Sequence, residues 1–190
     1  MDLREAYDSL TVGHAAFARF YGPAADLALG VGLFLNNVAY PAYDDDAGDF
    51  VVAEGLCYVV SHECDISLEN DRPLNNAALL CPVIPLQSLL QHLEEIRTED
   101  QVRGFIASLA KSEVDRAAYI PTIAEVLPDG GVLYFGTICS TDVRELARDS
   151  VQTVCAASYF GLEYIDQRLH QAILKRPKDQ RLPLTPEIVA

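Results

Sequence analysis

Two short apolar runs, residues 55–62 and 77–84, constrain the fold of this chain more than any other part of its sequence. The first reads Gly-Leu-Cys-Tyr-Val-Val-Ser-His and the second Ala-Ala-Leu-Leu-Cys-Pro-Val-Ile. Neither alternates with polar residues, which predicts strands covered on both faces of a sheet. The polar segment 69–76 between them predicts a hairpin, with Pro82 at a rim or bulge because proline donates no ladder hydrogen bond.

Helical spacing follows these runs. Apolar residues recur every three or four positions across residues 87–112, which predicts a helical insertion, and Thr98 with Gln101 forms a capping box inside it. Strand character returns at residues 118–121 and 131–135 around the turn 128–130. Two further helices are expected within residues 141–176, and the tail 177–190 contains three prolines and is expected to be extended.

The charge balance narrows the classes of partner. The chain has 28 acids and 14 bases, a formal net charge of −14, and residues 1–95 hold 15 of the acids and only 3 of the bases. Such a surface repels phosphate backbones, so general nucleic-acid binding is disfavoured. Two interpretations stay open: solubility through self-repulsion, or an acidic face that docks a basic partner or mimics DNA. The sequence shows no membrane-spanning run and no signal-peptide start, and a cytoplasmic protein is expected.

A polar hexapeptide, residues 61–66, ends the first apolar run and is the first place to look for chemistry. It reads Ser-His-Glu-Cys-Asp-Ile. If the strand persists, His62 and Cys64 share one face, while Ser61, Glu63 and Asp65 share the other. Polar groups at the mouth of a buried sheet are costly unless they are paired or used.

Four interpretations of this hexapeptide stay open. In a structural role, Ser61 and Asp65 bond turn amides and Cys64 fills the core. In a metal site, His62 and Cys64 are two Zn²⁺ ligands, although the five cysteines form no CxxC pair and no metal site is assigned. In a thiol site, His62 activates Cys64 and Asp65 orients the imidazole. In a recognition site, the polar side chains bind a ligand or partner, and no cofactor is specified.

The same residues carry a resemblance. The run 56–66, followed by Leu-Leu-Cys-Pro-Val-Ile-Pro-Leu at 79–86, resembles a group of bacterial proteins with a Ser-His-x-Cys-Asp-Ile signature. It also resembles, more distantly, the strand–loop–strand of SH3-like barrels such as the PemK-like toxins. The resemblance covers about thirty residues and implies a bent barrel with inserted helices. Those toxins place a basic residue and a hydroxyl around an RNA groove, and Arg72 is the one base in the loop that follows the hexapeptide here.

Together these observations predict an α+β fold: a small, mostly antiparallel SH3-like barrel from residues 26–86 and 117–138. The helical insertion occupies 87–112 and a C-terminal helical pair 141–176, in a single domain 1–176 followed by the tail.

The expected function is that of a bacterial accessory protein that binds a protein partner through its acidic face or its tail, in a toxin–antitoxin or phage-defence setting. The alternatives are a metal- or thiol-dependent hydrolase with His62, Cys64 and Asp65 as catalytic residues, or a PemK-like endoribonuclease. Ser61, Glu63 and Arg72 are the expected binding residues.

Overall fold

An antiparallel sheet organises the part of the chain that the computed structural model describes, namely residue 10 and residues 19–22, 28–44, 47–67 and 77–173. In the order β1-β8-β2-β3-β4-β6-β5, each strand pairs with its neighbour, and β7 pairs with β4. The strands are β1 (Tyr21–Gly22), β2 (Leu33–Asp44), β3 (Asp49–Val59), β4 (Ala77–Pro85), β5 (Ala117–Ile120), β6 (Gly131–Tyr134), β7 (Cys139–Asp142) and β8 (Gln152–Ala157).

Helices join and cover these strands. The capping box predicted at the start of one of them is present, with the Thr98 N–H donating to Gln101 Oε1 at 3.1 Å. No helix in the described ranges is long and apolar enough to cross a bilayer. The helices are α1 (Glu63–Ile66), α2 (Leu86–Ile96), α3 (Glu99–Ala110), α4 (Val143–Leu146) and α5 (Tyr159–Ile173), with a 3₁₀ turn at Phe135–Thr137.

Strand β3 is buried on both faces over its second half, as its apolar sequence predicts. Leu56 and Tyr58 pack in the cluster that α5 covers through Ile165. Cys57 and Val59 point the other way, into a cluster shared with α1 and α4. Each large side chain buried in this way contributes about 1.5–3 kcal/mol relative to full exposure. The second half of β3 is therefore fixed in the core of the sheet by packing on both of its faces.

Pro82 lies at a division of the sheet. It pairs with Cys57 of β3 on one side, while on the other side β7 pairs only as far as Leu80 and β6 begins at Val83. The residue without an N–H donor therefore occupies the gap between two neighbouring strands, where no ladder hydrogen bond is lost.

The SH3-like barrel expected from the sequence is wrong, because the sheet is open. Closure requires the two end strands to pair, and β1 and β5 stand at opposite ends of the strand order. The β5–β6 hairpin instead separates from β7 at Pro82. Strand β5 packs against α3 and α5, at the other end of the strand order from β1. The coarser expectation of a mostly antiparallel α+β fold is confirmed.

The C-terminal helical pair expected over residues 141–176 is wrong in its first half. Helix α4 is one turn long, with Asp142 as its cap accepting the Arg144 N–H at 2.9 Å. The chain then re-enters the sheet as β8, between β1 and β2, so the expected barrel segments 26–86 and 117–138 omit a strand. Its small residue Ala157 is buried in the cluster that α5 covers, which lets α5 pack closely. The single domain 1–176 stays a prediction, and the tail 177–190 lies outside the described residues.

Candidate interaction surface

The hexapeptide at residues 61–66 leaves the sheet instead of continuing the strand. Strand β3 ends at Val59, and residues 63–66 form α1, with the Asp65 N–H donating to the His62 carbonyl at 2.9 Å. The expected alternation of side chains along a strand is therefore wrong. The cause is that Ile66 is drawn into the core under the sheet, where it is 2% exposed.

The close approach of Gly30 fixes where α1 sits. A Cβ placed on Gly30 would lie 2.9 Å from Glu63 Cβ and 3.1 Å from Glu63 N. Only glycine leaves room for the first residue of α1 at this distance. The loop before β2 and the one-turn helix after β3 are thereby held against each other.

The expected site residues are not brought into one pocket by the described part of the chain. Ser61 is half-buried, and its Oγ accepts the N–H of Leu79 in β4 at 2.7 Å, not that of a turn residue. His62, Glu63 and Asp65 are exposed. Arg72 and the side chain of Cys64 lie outside what the structure describes, so their expected roles stay predictions. Among the described residues, no group of three or more His, Cys, Asp or Glu is placed to hold a metal ion.

The other four cysteines are poor nucleophiles. Burial raises the pKa of the Cys57 thiol far above its usual range, and raises the pKa of Cys81 and of Cys155 to about 12. Burial also raises the pKa of Cys139. Each thiol is therefore protonated at neutral pH and behaves as a small apolar side chain.

A two-stranded extension of β2 and β3 is the feature that the sequence interpretation missed. Strand β8 pairs with β2 only from Leu33 to Asn36, and β4 pairs with β3 only from Cys57 to Val59. Beyond those residues β2 and β3 pair with each other alone within the described part of the chain, and these pairs include those from Ala39↔Glu54 to Asp44↔Asp49. We call residues 39–54 the β-arm.

One face of the β-arm is apolar and exposed. Pro41 and Val52 are opposite each other, and so are Tyr43 and Phe50, so all four side chains share this face. Phe50 is 71% exposed, Val52 81% and Tyr43 57%. The Tyr43 and Phe50 rings meet edge to face with centroids 5.4 Å apart. Clustered exposed apolar side chains of this size are typical of interaction sites.

The tip of the β-arm is strongly acidic. Asp44 and Asp49 close the hairpin, and Asp45 and Asp46 stand between them in the sequence. Asp44 builds the turn: its carbonyl accepts the Gly48 N–H at 2.8 Å, and its Oδ1 accepts the Ala47 N–H at 3.1 Å. The stretch 20–71 contains ten acids and no Lys or Arg. No base within this stretch neutralises the tip.

The sequence does carry a signal for the β-arm. Phe50-Val51-Val52-Ala53 is rich in residues that favour strands, and a short acidic turn precedes it. Pro41 argues against a strand at this position in the sequence. A proline marks the end of a strand unless its missing N–H faces away from the partner strand.

A second exposed surface runs along α5. It forms a groove of about 610 Å³, and its described lining comes from that helix, including Tyr159, Leu162, Glu163 and Asp166. Tyr159 is 83% exposed. This groove has two acids and no concentration of charge comparable to that of the β-arm.

Comparison with known proteins gives no relative from which a role could be carried over. The chain matches no protein-family model, no curated protein and no solved structure. The resemblance to the bacterial signature group and to the PemK-like toxins therefore stays a prediction of the sequence. The function has to be argued from the surface itself.

Proposed function

We propose that this protein is an interaction module that binds a basic protein partner through the β-arm. The observation that carries the proposal is the combination of exposed aromatic and aliphatic side chains with an acidic tip, in a stretch without a single Lys or Arg. The partner presents an apolar patch bordered by Lys or Arg. Its apolar patch covers Phe50 and Val52, and its bases face the aspartates of the tip.

The two halves of the surface contribute differently. Burying an exposed aromatic or aliphatic side chain supplies most of the binding free energy, at about 1.5–3 kcal/mol for each residue. Opposite charges raise the association rate and exclude wrong partners more than they add affinity. Binding is therefore expected to weaken with salt without being abolished by it.

Charge also argues against two other occupants. A nucleic acid would bring its phosphates toward the tip, against the normal requirement for several basic contacts. A second copy of this chain would bring another acidic arm and a further net charge of −14. A basic protein surface is the occupant that satisfies both the apolar face and the aspartates.

The test compares three forms of the full chain as bait in native extract at 0.1 M and 0.5 M salt. They are the unaltered protein, the double variant Phe50→Ser with Val52→Ser, and the control Tyr159→Ser on α5. All three substitutions replace exposed apolar residues, so the fold is expected to be kept. Captured proteins are identified by mass spectrometry, and the affinity of one purified partner is then measured directly.

The double variant is expected to lose the captured basic proteins. Its affinity for the purified partner is expected to fall at least thirtyfold, which corresponds to about 2 kcal/mol of binding free energy. The control is expected to bind within about twofold, a difference of less than 0.5 kcal/mol. Identical capture by the unaltered protein and the double variant would exclude the β-arm as the binding surface. Capture dominated by acidic proteins would exclude the proposed partner chemistry.

The hydrolase and PemK-like alternatives stay predictions of the sequence. They depend on His62, Cys64 and Asp65 of the hexapeptide and on Arg72, which lies outside the described residues. The bacterial toxin–antitoxin or phage-defence setting likewise stays a prediction.

A further inference from the structure

The two long edges of the β-arm are unpaired among the described residues. Over residues 39–43 of β2 and 50–54 of β3, the strand pairings in the described part of the chain join these strands only to each other. An unpaired edge presents a row of backbone donors and acceptors and is a template for a further strand. The β-arm therefore has two candidate edges, which are not equivalent.

Pro41 sets which backbone groups point outward. In an antiparallel pair, opposed residues alternate between exchanging both backbone hydrogen bonds and exchanging none. Pro41 is opposite Val52 and has no N–H, so this pair is of the non-bonded kind. The N–H and C=O of Val52 then point away from β2. Phe50, two residues earlier, agrees with this parity, because its N–H donates to Asp49 Oδ1 at 2.7 Å.

The same alternation of outward-facing residues makes the β2 edge unfavourable for an added strand. The outward residues of β2 are Ala39, Pro41 and Tyr43, and the central one lacks a donor. A strand docking there would leave one of its carbonyls unpaired, which costs about 1–3 kcal/mol when buried. The outward residues of β3 are Phe50, Val52 and Glu54, with no proline among them. Proline on one edge directs pairing to the other.

We infer that the β3 edge of the β-arm accepts an extended basic segment of the partner, which binds by strand addition. This inference rests on the proposed function and specifies how the partner binds to the β-arm. The added strand continues the sheet beside Phe50, Val52 and Glu54. Its alternate side chains extend the apolar face, and a Lys or Arg at one end reaches the aspartates of the tip.

A second copy of the chain does not fit this edge. Two β3 edges paired with each other would place Asp49 and Glu54 of both copies along one seam. No base lies between residues 20 and 71 to neutralise them. Like charges placed on neighbouring strands are destabilising, so the occupant is a basic strand.

The experiment uses the full chain and a synthetic probe peptide of alternating Lys and Val. Val52→Pro removes the central outward N–H of the β3 edge without removing a hydrogen bond to β2. Ala39→Pro is the matched control, because it removes the equivalent N–H from the β2 edge. Circular dichroism and the urea midpoint show that both variants are folded. A second probe carries N-methyl groups at alternate residues, which removes the donors that would face β3.

Val52→Pro is expected to lower the affinity for the Lys–Val peptide at least tenfold. Ala39→Pro is expected to leave that affinity within about threefold of the unaltered protein's. The N-methylated peptide is expected to bind the unaltered protein at least tenfold more weakly. A peptide of alternating Glu and Val should not bind, since its charges repel the tip.

Equal binding by Val52→Pro and the unaltered protein would overturn strand addition. The proposed function would survive that result if the Phe50→Ser, Val52→Ser variant still lost its partner, because the β-arm would then bind through side chains alone. Loss with Ala39→Pro instead of Val52→Pro would move the site to the β2 edge and overturn the inference. Dimerisation of the unaltered chain that Val52→Pro abolishes would make a second copy the occupant and also overturn it.

Discussion

At the scale of single residues, two tyrosines of the sheet differ in whether their hydroxyl groups are hydrogen-bonded. Tyr58 is 1% exposed, and its hydroxyl has no hydrogen-bond partner among the described residues. The Tyr21 hydroxyl donates to the Pro121 carbonyl at 2.6 Å. Burial raises the pKa of both phenols, so both hydroxyls stay protonated at any ordinary pH.

Removing each hydroxyl is expected to have opposite effects on stability. Tyr58→Phe removes a desolvated group that gains nothing in return, so the free energy of unfolding should stay level or rise by about 1 kcal/mol. Tyr21→Phe leaves the Pro121 carbonyl without its donor and should lower the free energy of unfolding by about 1 kcal/mol. Urea unfolding of both variants measures the difference. A loss larger than 1 kcal/mol in Tyr58→Phe would show that its hydroxyl has a partner.

The thiols give a prediction in pH. With pKa values of about 12, Cys81 and Cys155 are in the thiolate form to about one part in 10⁴ at pH 8, and maleimide labelling should be roughly a thousandfold slower than for a free thiol. At Cys155, which is partly exposed, the rate should rise about tenfold for each pH unit between 7 and 9 without a plateau, whereas Cys81 is fully buried and is labelled only when the sheet opens. Peptide mass spectrometry assigns each rate, and labelling in denaturant is the control. A plateau near pH 8 at Cys155 would contradict the burial of its thiol described here.

At the scale of elements, the parity of the β-arm predicts an alternation in amide hydrogen exchange. Val51 and Ala53 are opposite Ala42 and Tyr40 in pairs that exchange hydrogen bonds, and their N–H groups should be protected. The Val52 N–H points to solvent and should exchange near the unprotected rate. Exchange resolved by residue with NMR measures this directly. Uniform protection from Val51 to Ala53 would mean that another segment already covers the β3 edge.

The elements that the sequence predicts well are those in which one local signal decides the structure. The runs at 55–62 and 77–84 pair as β3 and β4, and the Thr98 capping box starts α3. Strand β8 was missed because Gln152–Ala157 is not strongly apolar, and its burial depends on partners far along the chain. The β-arm was missed because the orientation of the Pro41 nitrogen, which permits a strand there, is set only by its partner β3.

At the scale of the whole molecule, neither the open sheet nor the site could be derived from local pattern. Barrel closure depends on whether the end strands meet, and β1 reaches its end of the sheet only by pairing with β8, far along the chain. The hexapeptide is distinctive in its composition, yet it continues into the one-turn helix α1 where the apolar run before it predicts a strand. The acidic excess of the N-terminal half left solubility and a basic partner both open, and the apolar face beside the acidic tip is visible only in the structure.

The net charge of −14 predicts how stability responds to salt. Exposed ion pairs such as Arg144 with Asp142 and Arg148 with Glu145 contribute little, so repulsion among unpaired acids dominates. Raising the salt concentration from 0.02 M to 0.3 M at pH 7.5 should increase the free energy of unfolding by about 1 kcal/mol and the thermal midpoint by about 2–4 °C. At pH 5, close to the isoelectric point of about 4.5, the effect should shrink. A midpoint that falls with salt at pH 7.5 would show that ion pairs outweigh the repulsion.

The β-arm is one uninterrupted stretch of chain that leaves the sheet and returns to it at neighbouring positions. Every group assigned to recognition therefore lies between two adjacent attachment points, outside the residues that hold the fold together. Such a hairpin is transplantable: grafted into a tight turn of an unrelated scaffold, it would carry its binding preference with it. Under the proposed function, a few substitutions within the hairpin would change the preferred partner while the sheet beneath stayed unaltered.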